Sequence, residues 1–375
     1  MYKAYKFRLY PNNNQIFLIN KIFGCTRFVY NYYLSQKKNK HLENKTILTS
    51  LECIKDLKSN LIKDKTWLTE VDIISLNAAI YDLEVSFNRT IKDKNDYPNF
   101  KSKYNSKNSF KTNNFNNKIK LDLKNKVISI KKIGDMNIRG YRKLKELNAR
   151  MINATISKEM TCKYYISVLV EEKTEPIIVK PSSIVGIDLG IKDLVTTSQG
   201  IKYPNIKILE KYEKRIKRMQ KKLSNKIKGS NNYYKIKQKL AVIYSKIKNK
   251  RINTIHQITN KIIKNNDIII SETLNIKNMV KNHKLAKSIH DVSLREIVRQ
   301  LEYKCRWLGK KFYQIDTFFP SSQTCSVCSN KNIELKDMEI REWVCDKCHS
   351  NHDRDINAAV NIMFEGLKKY IREYI

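Results

Sequence analysis

No stretch of the sequence approaches the roughly 18 consecutive apolar residues that a membrane-spanning helix requires. The first residues, Met1-Tyr2-Lys3-Ala4-Tyr5-Lys6, lack the apolar segment of a signal peptide. The chain also lacks a lipidation motif and an amphipathic anchor for a membrane surface. These absences predict an intracellular, cytoplasmic protein with no membrane partner.

The sequence is also poor in acidic residues. Its 375 residues include 74 Lys and Arg but only 36 Asp and Glu, which gives a net charge of +38. An AT-rich genome accounts for many of the lysines, but it does not explain why so few acids accompany them. A field of this sign and size neutralises phosphates and releases their counterions. The composition therefore favours a nucleic acid partner over an acidic membrane surface.

Disulfides are not expected, because thiols stay reduced inside the cell. The chain has eight cysteines, and four of them stand alone in the sequence. We expect these four to be small core residues: Cys25, Cys53, Cys162 and Cys305.

The other four cysteines predict a metal site. They form two pairs in the pattern C-x₂-C-x₁₆-C-x₂-C: Cys325, Cys328, Cys345 and Cys348. This spacing is typical of a structural zinc site, in which four thiolates complete a tetrahedral shell and leave no position for a substrate. Redox chemistry at Cys-x-x-Cys is the alternative, but two pairs at this separation favour zinc.

The first part of the chain reads as one strand followed by helices. Residues 2–10 alternate as a strand does, and the pattern from about 15 to 84 is largely helical. Residues 75–89 predict a further helix. After residues 97–103 the chain is basic and rich in Asn and Ser to about residue 118, so we expect an irregular stretch that buries little. Such a stretch could follow a phosphate backbone or be a solvated loop.

Residues 119–171 predict short β-strands. Residues 173–183 contain Pro176 and Pro181 and predict a linker, so that a new domain begins at Ile184.

Inside the new domain, a long helical region interrupts the strands. Apolar residues step by three and four across 207–264, with a break at Gly229-Ser230, which predicts an antiparallel helical pair. The remaining faces of this pair are densely Lys and Arg. They could be merely solvated, but in a chain this positive they favour a wall for nucleic acid.

Three acidic residues stand at the ends of predicted buried elements. Asp188 follows Ile184-Val185-Gly186-Ile187, and Glu272 follows Asp267-Ile268-Ile269-Ile270-Ser271. Asp355 lies near the start of a helix rich in small residues, where Asp353 could be a plain cap. Each acid taken alone has an ordinary alternative role, as a turn cap, an exposed strand end or a first-turn acid.

Taken together, the three acids suit phosphodiester hydrolysis. That reaction can use two divalent cations roughly 3.5–4 Å apart, one that activates water and one that stabilises the leaving oxygen. Mg²⁺ takes oxygen ligands and keeps several waters, so a few carboxylates suffice without histidine. Asp188, Glu272 and Asp355 are therefore candidates for catalytic acids that hold two Mg²⁺ ions, provided that the fold brings them together.

With these residues in view, the chain resembles the TnpB (also called OrfB) family of insertion-sequence proteins, relatives of the compact type V CRISPR nucleases. The resemblance runs nearly end to end. The motifs that carry it are Tyr5-Lys6-Phe7-Arg8-Leu9-Tyr10-Pro11, Arg27-Phe28-Val29-Tyr30-Asn31, Gly186-Ile187-Asp188-Leu189-Gly190, Glu272-Thr273-Leu274-Asn275, Gln300-Leu301-Glu302-Tyr303-Lys304, Pro320-Ser321-Ser322-Gln323-Thr324-Cys325 and Asp353-Arg354-Asp355-Ile356-Asn357-Ala358-Ala359.

The resemblance implies that Asp188, Glu272 and Asp355 are the acids of a ribonuclease-H-like (RuvC) nuclease site. Asp355 is chosen over Asp353 because the relatives place the ligand directly before the x-Asn-Ala/Gly-Ala segment. Thr273 stands where the family has Asp. This difference from the family pattern lies directly beside the implied metal ligand Glu272.

The implied fold is a multidomain α/β protein in which a RuvC-like nuclease domain carries inserted helices and a zinc ribbon. An N-terminal wedge-like β-barrel and a helical recognition domain complete it. The implied domains are 1–10 with 119–180 for the wedge, 11–118 for recognition, 181–320 with 350–367 for the nuclease domain including the helical pair 207–264, 321–349 for the zinc ribbon and 368–375 for a tail.

The implied activity is RNA-guided cleavage of DNA. The partners would be a guide RNA made from the transposon end and a double-stranded DNA target beside a short transposon-adjacent motif, so the protein would be nucleoid-associated when bound to DNA. The chain has no recognisable base-reading unit such as a helix-turn-helix, which suits reading by base pairing.

Three rival functions remain open. A nuclease-dead regulator would bind guide and target without cutting, but it would have no need of the three acids. A strand-transferring transposase would use the same carboxylates and metals, so only its products would distinguish it. A zinc-ribbon DNA-binding protein without catalysis would leave most of the chain unexplained.

Overall fold

The structure, a computed structural model, describes residues 1–93, 96–104, 107–140, 149–172, 181–279, 281, 283–337 and 339–374. The chain divides into two units, Met1–Thr174 and Glu175–Ile375. The linker predicted over 173–183 lies mostly outside the described residues. No helix in the described ranges is long and apolar enough to cross a membrane.

The first unit is built on one antiparallel sheet of seven strands in the order β2-β6-β7-β1-β5-β4-β3. Alternate residues of the first strand, Tyr5, Phe7 and Leu9, point into the core, as the strand pattern predicted. The strands are β1 Tyr2–Tyr10, β2 Asn108–Asn113, β3 Ile119–Asp122, β4 Val127–Ile130, β5 Gly134–Arg139, β6 Ala149–Lys158 and β7 Tyr164–Glu172.

Helices fill the first unit between β1 and β2, which confirms the helical pattern. They are α1 Asn13–Asn44, α2 Ser50–Asp56, α3 Ile62–Asp64 and α4 Ile73–Lys92. Asn12 starts α1 with a capping box: its side chain accepts from the N–H of Gln15, and the Gln15 side chain accepts from the N–H of Asn12. The helices share one apolar core with the sheet.

Two expectations for the first unit are wrong. The stretch predicted to be irregular contains β2, which pairs with β6 and buries Phe110 and Thr112. These two inward-facing side chains are enough for a strand because the edge of β6 is available for pairing. Composition does not reveal such a pairing partner. Cys162 is exposed in the turn between β6 and β7, with φ of +60°, whereas Cys25, Cys53 and Cys305 are buried as predicted.

The second unit contains a five-stranded mixed sheet in the order β10-β9-β8-β11-β12. The strand β8 pairs antiparallel with β9 and parallel with β11, and β11 pairs parallel with β12. The strands are β8 Ile184–Asp188, β9 Asp193–Thr197, β10 Lys202–Pro204, β11 Ile268–Ser271 and β12 Lys311–Gln314. A separate antiparallel pair, β13 Glu342–Val344 and β14 Asn351–Asp353, belongs to the cysteine-rich segment.

Helices cover both faces of this sheet. They are α5 Ile208–Ser224, α6 Asn231–Asn265, α7 Ile276–Met279, α8 His283–Val292, α9 Leu294–Trp307 and α10 Arg354–Tyr374. The pair α5 and α6 shares its own apolar cluster, which confirms the helical pair predicted over 207–264. On the central strands, Val185 and Ile269 face the cluster with α6 and α9, and Ile268 and Ile270 face the other side.

The helix α10 packs very closely on the central strands because two glycines leave room for it. A Cβ on Gly186 of β8 would clash with the carbonyl oxygen of Ala359 and would lie 2.6 Å from the nitrogen of Met363. A Cβ on Gly366 of α10 would clash with the side chain of Ile270. These approaches fix where the first turn of α10 meets the ends of the strands.

We expect Gly186→Ala to lower the free energy of unfolding of the second unit by roughly 3 kcal/mol or more, because backbone atoms of α10 cannot move aside cheaply. Gly24→Ala is the matched control, since its Cβ would meet nothing within 4 Å in α1. In a helix interior that change should stabilise by about 0.5–1 kcal/mol. Urea unfolding of both variants checks this, and a Gly186→Ala protein as stable as the wild type would contradict the packing.

Candidate active site and zinc site

Asp188 and Glu272 are brought together by two neighbouring parallel strands. Ile187 of β8 is in register with Ser271 of β11, so the next residue on each strand emerges at the same edge of the sheet. The backbone N–H of Leu189 donates to Oε1 of Glu272 at 3.2 Å. The two strand ends predicted from the sequence are therefore adjacent.

The turn after Glu272 is held by Thr273, the residue that departs from the family pattern. Its hydroxyl donates to the carbonyl of Ile315 at 2.6 Å, and Nε2 of Gln314 donates to the carbonyl of Glu272 at 3.2 Å. Both bonds tie this turn to the end of β12. Threonine thus has a clear local role at this position.

Burial raises the pKa of both carboxyls. The pKa of Asp188 is raised well above its usual range, first by burial and then by the charges of Glu272 and Asp355, while Arg354 and a backbone N–H act in the opposite direction. Burial raises the pKa of Glu272 to about 7, against the bond from the N–H of Leu189. The positive charge near these two carboxyls is too small to offset their burial, and a divalent cation would supply more.

Asp355 reaches the same place from α10. It lies in the first turn of that helix, its side chain is 19% exposed, and Nη1 of Arg341 lies 3.3 Å from its Oδ1. Its helix packs against β8, the strand that ends at Asp188, with Ala359 next to Gly186, and its charge acts on Asp188. All three predicted acids therefore lie at one end of the sheet.

The three carboxylates are more loosely grouped than the cysteines. Among the described residues, the four cysteines are the only set of three or more metal-binding side chains whose ligand atoms all lie within 4.8 Å of one another. A two-ion site does not require such a tight set, because its ions lie roughly 3.5–4 Å apart and separate their ligands.

Asp353 is a helix cap, as its alternative reading predicted. Its Oδ1 accepts from the N–H of Asp355 at 3.1 Å and from the N–H of Ile356 at 3.0 Å. Although burial acts to raise it, the pKa of Asp353 is lowered by the Lys202 ammonium and by these N–H groups. Asp353 thus stays charged and fixes the first turn that carries Asp355.

The four predicted zinc ligands also come together. The Sγ atoms of Cys325 and Cys348 are 3.6 Å apart, and those of Cys328 and Cys345 are 3.5 Å apart. Zinc with bonds of about 2.3 Å to four thiolates separates them by roughly 3.8 Å, so this donor set fits a zinc ion.

The two cysteine pairs have the same backbone conformation. The N–H of Ser329 bonds the carbonyl of Cys325 at 3.0 Å, and the N–H of His349 bonds the carbonyl of Cys345 at 2.8 Å. Ser329 and His349 both have positive φ, of 62° and 54°. The repeated turn aims two thiols from each pair at a common centre.

Sequence reasoning did not identify the residues that join the cysteine-rich segment to α10. Nδ2 of Asn357 donates to the carbonyl of Thr324 at 2.8 Å, and its Oδ1 accepts from the N–H of Ser326 at 2.9 Å. One turn later, Nδ2 of Asn361 donates to the carbonyls of Ser321 and Thr324. The sequence signal that could have identified them is a pair of asparagines four residues apart on an apolar helix face, and both are buried in the structure.

Two arginines make the same connection at the start of α10. Arg354 donates to the carbonyls of Asp337 and Ile340, and Arg341 pairs with Asp355. The cysteine-rich segment therefore supports the helical turn that carries one of the three acids.

We expect the Glu272→Gln variant to resist urea better than the wild type, by a margin that grows as the pH rises. The folded pKa of about 7 lies above the usual value near 4.5, so ionisation costs the folded state little at pH 5 and most above pH 8. In Mg²⁺-free buffer without a chelator, the advantage of the variant should grow between pH 5 and 8 by on the order of 2 kcal/mol. Added Mn²⁺ should reduce it, whereas a difference independent of pH would contradict the buried charge.

Comparisons with known proteins identify relatives of this chain. A profile of the IS605 OrfB family, described as "Probable transposase", matches residues 166–283, and a "Cas12f1-like, TNB domain" profile matches 295–362. A "Putative RNA-guided DNA endonuclease" of Streptomyces pristinaespiralis is 32% identical over 97% of this chain and 89% of its own length. The chain belongs to the TnpB/OrfB family.

Other relatives extend the comparison. A TnpB/OrfB relative from Escherichia coli K12, named "Putative RNA-guided DNA endonuclease InsQ", is 29% identical over 97% of this chain and 92% of its own length. The structure titled "Cryo-EM structure of the Cas12f1-sgRNA-target DNA complex" has a TM-score of 0.61 at 13% identity, covering 97% of this chain and 98% of that one. At that identity the likeness shows a shared fold, with mixed α and β content.

One family profile has a name that differs from the structure of the residues it matches. A profile of this family described as "Helix-turn-helix domain" matches residues 1–46, where we recognised no such unit. In the structure these residues form β1 and the single long helix α1, followed by a turn. The match therefore does not correspond to two short helices joined by a tight turn.

Proposed function

We propose that this TnpB-family protein is an RNA-guided DNA endonuclease encoded by a transposon. It binds a guide RNA derived from the transposon end and cuts double-stranded DNA beside a short transposon-adjacent motif. The observation that carries the proposal is the convergence of Asp188, Glu272 and Asp355 at one end of the second unit's sheet, in a chain of this family.

The three carboxylates would be the catalytic residues and would hold two Mg²⁺ ions. The donor set is all oxygen, and two of the acids are buried with raised pKa values, which is the environment that a divalent cation relieves. Bound there, the ions would activate water and stabilise the leaving oxygen of the phosphodiester. The Leu189 N–H orients Glu272, and the capped first turn of α10 orients Asp355.

The cysteine-rich segment would be a structural zinc ribbon that braces this site. Four thiolates leave no open position on the metal, so catalysis is not expected there. Its bonds to Asn357, Asn361 and Arg354, together with the pair between Arg341 and Asp355, give it a mechanical role. Zinc would therefore act on cleavage through the position of α10.

The strand order of the second unit supports a ribonuclease-H-like nuclease domain, with antiparallel β8, β9 and β10 beside parallel β11 and β12. We propose residues 181–320 with 350–367 as that domain and 321–349 as the ribbon. The tail expected at 368–375 begins inside α10, which extends to Tyr374. Residues 1–10 with 119–180 would form the wedge, and 11–118 the recognition domain, except that β2 pairs with the wedge strands.

The charge of the chain supports nucleic acid partners. With a net charge of +38, the protein can neutralise many phosphates, and the basic faces of α5 and α6 would line the guide–target duplex. The protein would recognise backbone and shape while base pairing selects the sequence. It would act in the cytoplasm and associate with the nucleoid when bound to DNA.

A strand-transferring transposase is the second candidate, since the profile over 166–283 is described as "Probable transposase". The same acids could serve transfer to a DNA hydroxyl instead of water. Sequencing of the DNA products separates the two, because transfer leaves a new joint and hydrolysis leaves free ends.

The most informative test of the partner is to purify the protein together with its native flanking transcript and to sequence the bound RNA. We expect one RNA that ends at the transposon boundary. A random sample of cellular RNA would contradict the proposal.

A further inference from the structure

Lys202 lies beside the proposed active site, and sequence analysis gave it no role. It belongs to β10, an edge strand of the second unit's sheet, and its partner Asp353 lies 151 residues further along the chain. Its Nζ donates to Oδ2 of Asp353 at 2.5 Å. The side chains of Lys202 and Asp353 are 35% and 28% exposed, so solvent only partly screens this pair.

The two oxygens of Asp353 have different partners. Oδ1 accepts from the N–H groups of Asp355 and Ile356, and Oδ2 accepts from Lys202. A carboxylate with both oxygens engaged cannot rotate without losing one set of bonds. The edge strand β10 is thereby tied through Asp353 to the backbone of Asp355 itself.

Asp355 stands on a helical turn, and the other two acids stand on strand ends. Its side chain pairs with Arg341 at 3.3 Å, and Arg341 is 48% exposed. Asp188 and Glu272, in contrast, stand on adjacent central strands of a buried sheet. The position of Asp355 therefore depends most on how the first turn of α10 is held.

We propose that Lys202 is a positioning residue for metal binding, which acts through Asp353 to hold the Asp355 carboxylate against the other two acids. The inference rests on the proposed nuclease function, because it assigns Lys202 to that same site. Lys202 touches neither the metal nor the scissile phosphate in this account. Its ammonium stays charged, because the hydrogen bond to Asp353 first, and then the charges of Asp355 and Asp193, raise its pKa.

The test compares Lys202→Met, Lys202→Arg, Asp353→Asn and the double variant Lys202→Met/Asp353→Asn in guided DNA cleavage over a range of Mg²⁺ concentrations. Losing a residue that orients a metal ligand typically weakens metal affinity by about 10- to 100-fold. We expect Lys202→Met to need at least about 10-fold more Mg²⁺ for half its maximal rate, with most of the rate regained at saturation. The KM for DNA should not change, and Lys202→Arg should remain near the wild type.

Lys369→Met is the matched control. This lysine lies near the other end of α10, has the same side-chain exposure of 35%, and pairs with Asp316 at 3.2 Å. Its loss removes a weaker, more exposed ion pair of the same helix without touching the first turn, so its Mg²⁺ response should match the wild type. A similar shift in Lys369→Met would show a general effect of charge and would overturn the proposal.

The double variant distinguishes positioning from direct DNA contact. If Lys202 acts only through Asp353, Lys202→Met should add little to Asp353→Asn. Full additivity, or a raised KM for DNA in Lys202→Met, would show that Lys202 acts on the nucleic acid and would overturn the proposal. An unchanged Mg²⁺ response would overturn it as well.

A binding measurement separates this inference from the proposed function. Calorimetric titration of Mn²⁺ into the protein alone should show weaker binding in Lys202→Met and wild-type binding in Lys202→Arg. If the wild type binds Mn²⁺ yet cuts no guided target, the nuclease function fails while the titration still decides the role of Lys202. Equal Mn²⁺ affinity in Lys202→Met and the wild type contradicts the positioning role.

Discussion

Asp188→Ala, Glu272→Ala and Asp355→Ala should each reduce guided DNA cleavage by at least about a thousandfold. The three carboxylates meet at one end of the sheet and are proposed to hold the same two ions, so removing one disrupts the whole set. The triple variant should therefore be hardly slower than each single one. Binding of RNA and DNA should persist, since these acids bring negative charge to a basic protein. Cleavage assays and filter binding on the same preparations check both parts.

Two acids of the second unit serve as controls for this result. Asp316→Ala removes an exposed acid that pairs only weakly with Lys369, and it should leave the rate unchanged. Asp353→Ala removes the cap of α10 and should slow cleavage much less than Asp355→Ala, because it displaces a ligand and does not delete one. Full activity of the Asp355→Ala variant would show that Asp355 is not a catalytic acid, and Asp353 would then be tested as the third acid.

Replacing Cys345 by Ser should unfold the zinc ribbon and abolish cleavage. Structural zinc binding contributes on the order of 10 kcal/mol, and this free energy is what folds so small a segment. Without the ribbon, Arg354, Asn357 and Asn361 lose their partners and α10 loses its support. Elemental analysis should find one zinc per wild-type chain and none in the variant, and proteolysis should cut within 321–349.

Cys162→Ser is the matched control for the ribbon. This thiol is exposed in a turn of the first unit and lies far along the chain from the four paired cysteines, so zinc content and cleavage should both be unchanged. Folded, fully active protein that contains no zinc would contradict the ribbon. A second zinc per chain would indicate a further site.

The elements that the sequence predicted well are those whose signal is local. The buried runs before Asp188 and Glu272 became β8 and β11, and the stepping of isoleucines across 207–264 became α5 and α6. The cysteine spacing alone was enough to place four thiols around a common centre.

The features that the sequence did not predict depend on distant partners. Asn108–Asn113 became a strand because β6 offered a free edge to it, and only Phe110 and Thr112 among its residues favour strands. Cys162 resembles the buried cysteines in sequence, but a turn with positive φ exposes it. The pairing of Lys202 with Asp353 spans 151 residues, and no local pattern encodes a contact of that separation.

The central claim is that the three acids cut DNA at a site chosen by the RNA. The decisive measurement supplies purified protein with an RNA whose guide segment has an arbitrary sequence, in Mg²⁺. The DNA is double-stranded, with or without a match to the guide, and carries a randomised flank so that any required adjacent motif is present. We predict cutting of matched targets only, by the wild type and not by Asp355→Ala. Cutting that ignores the guide, or that persists in Asp355→Ala, would contradict the account.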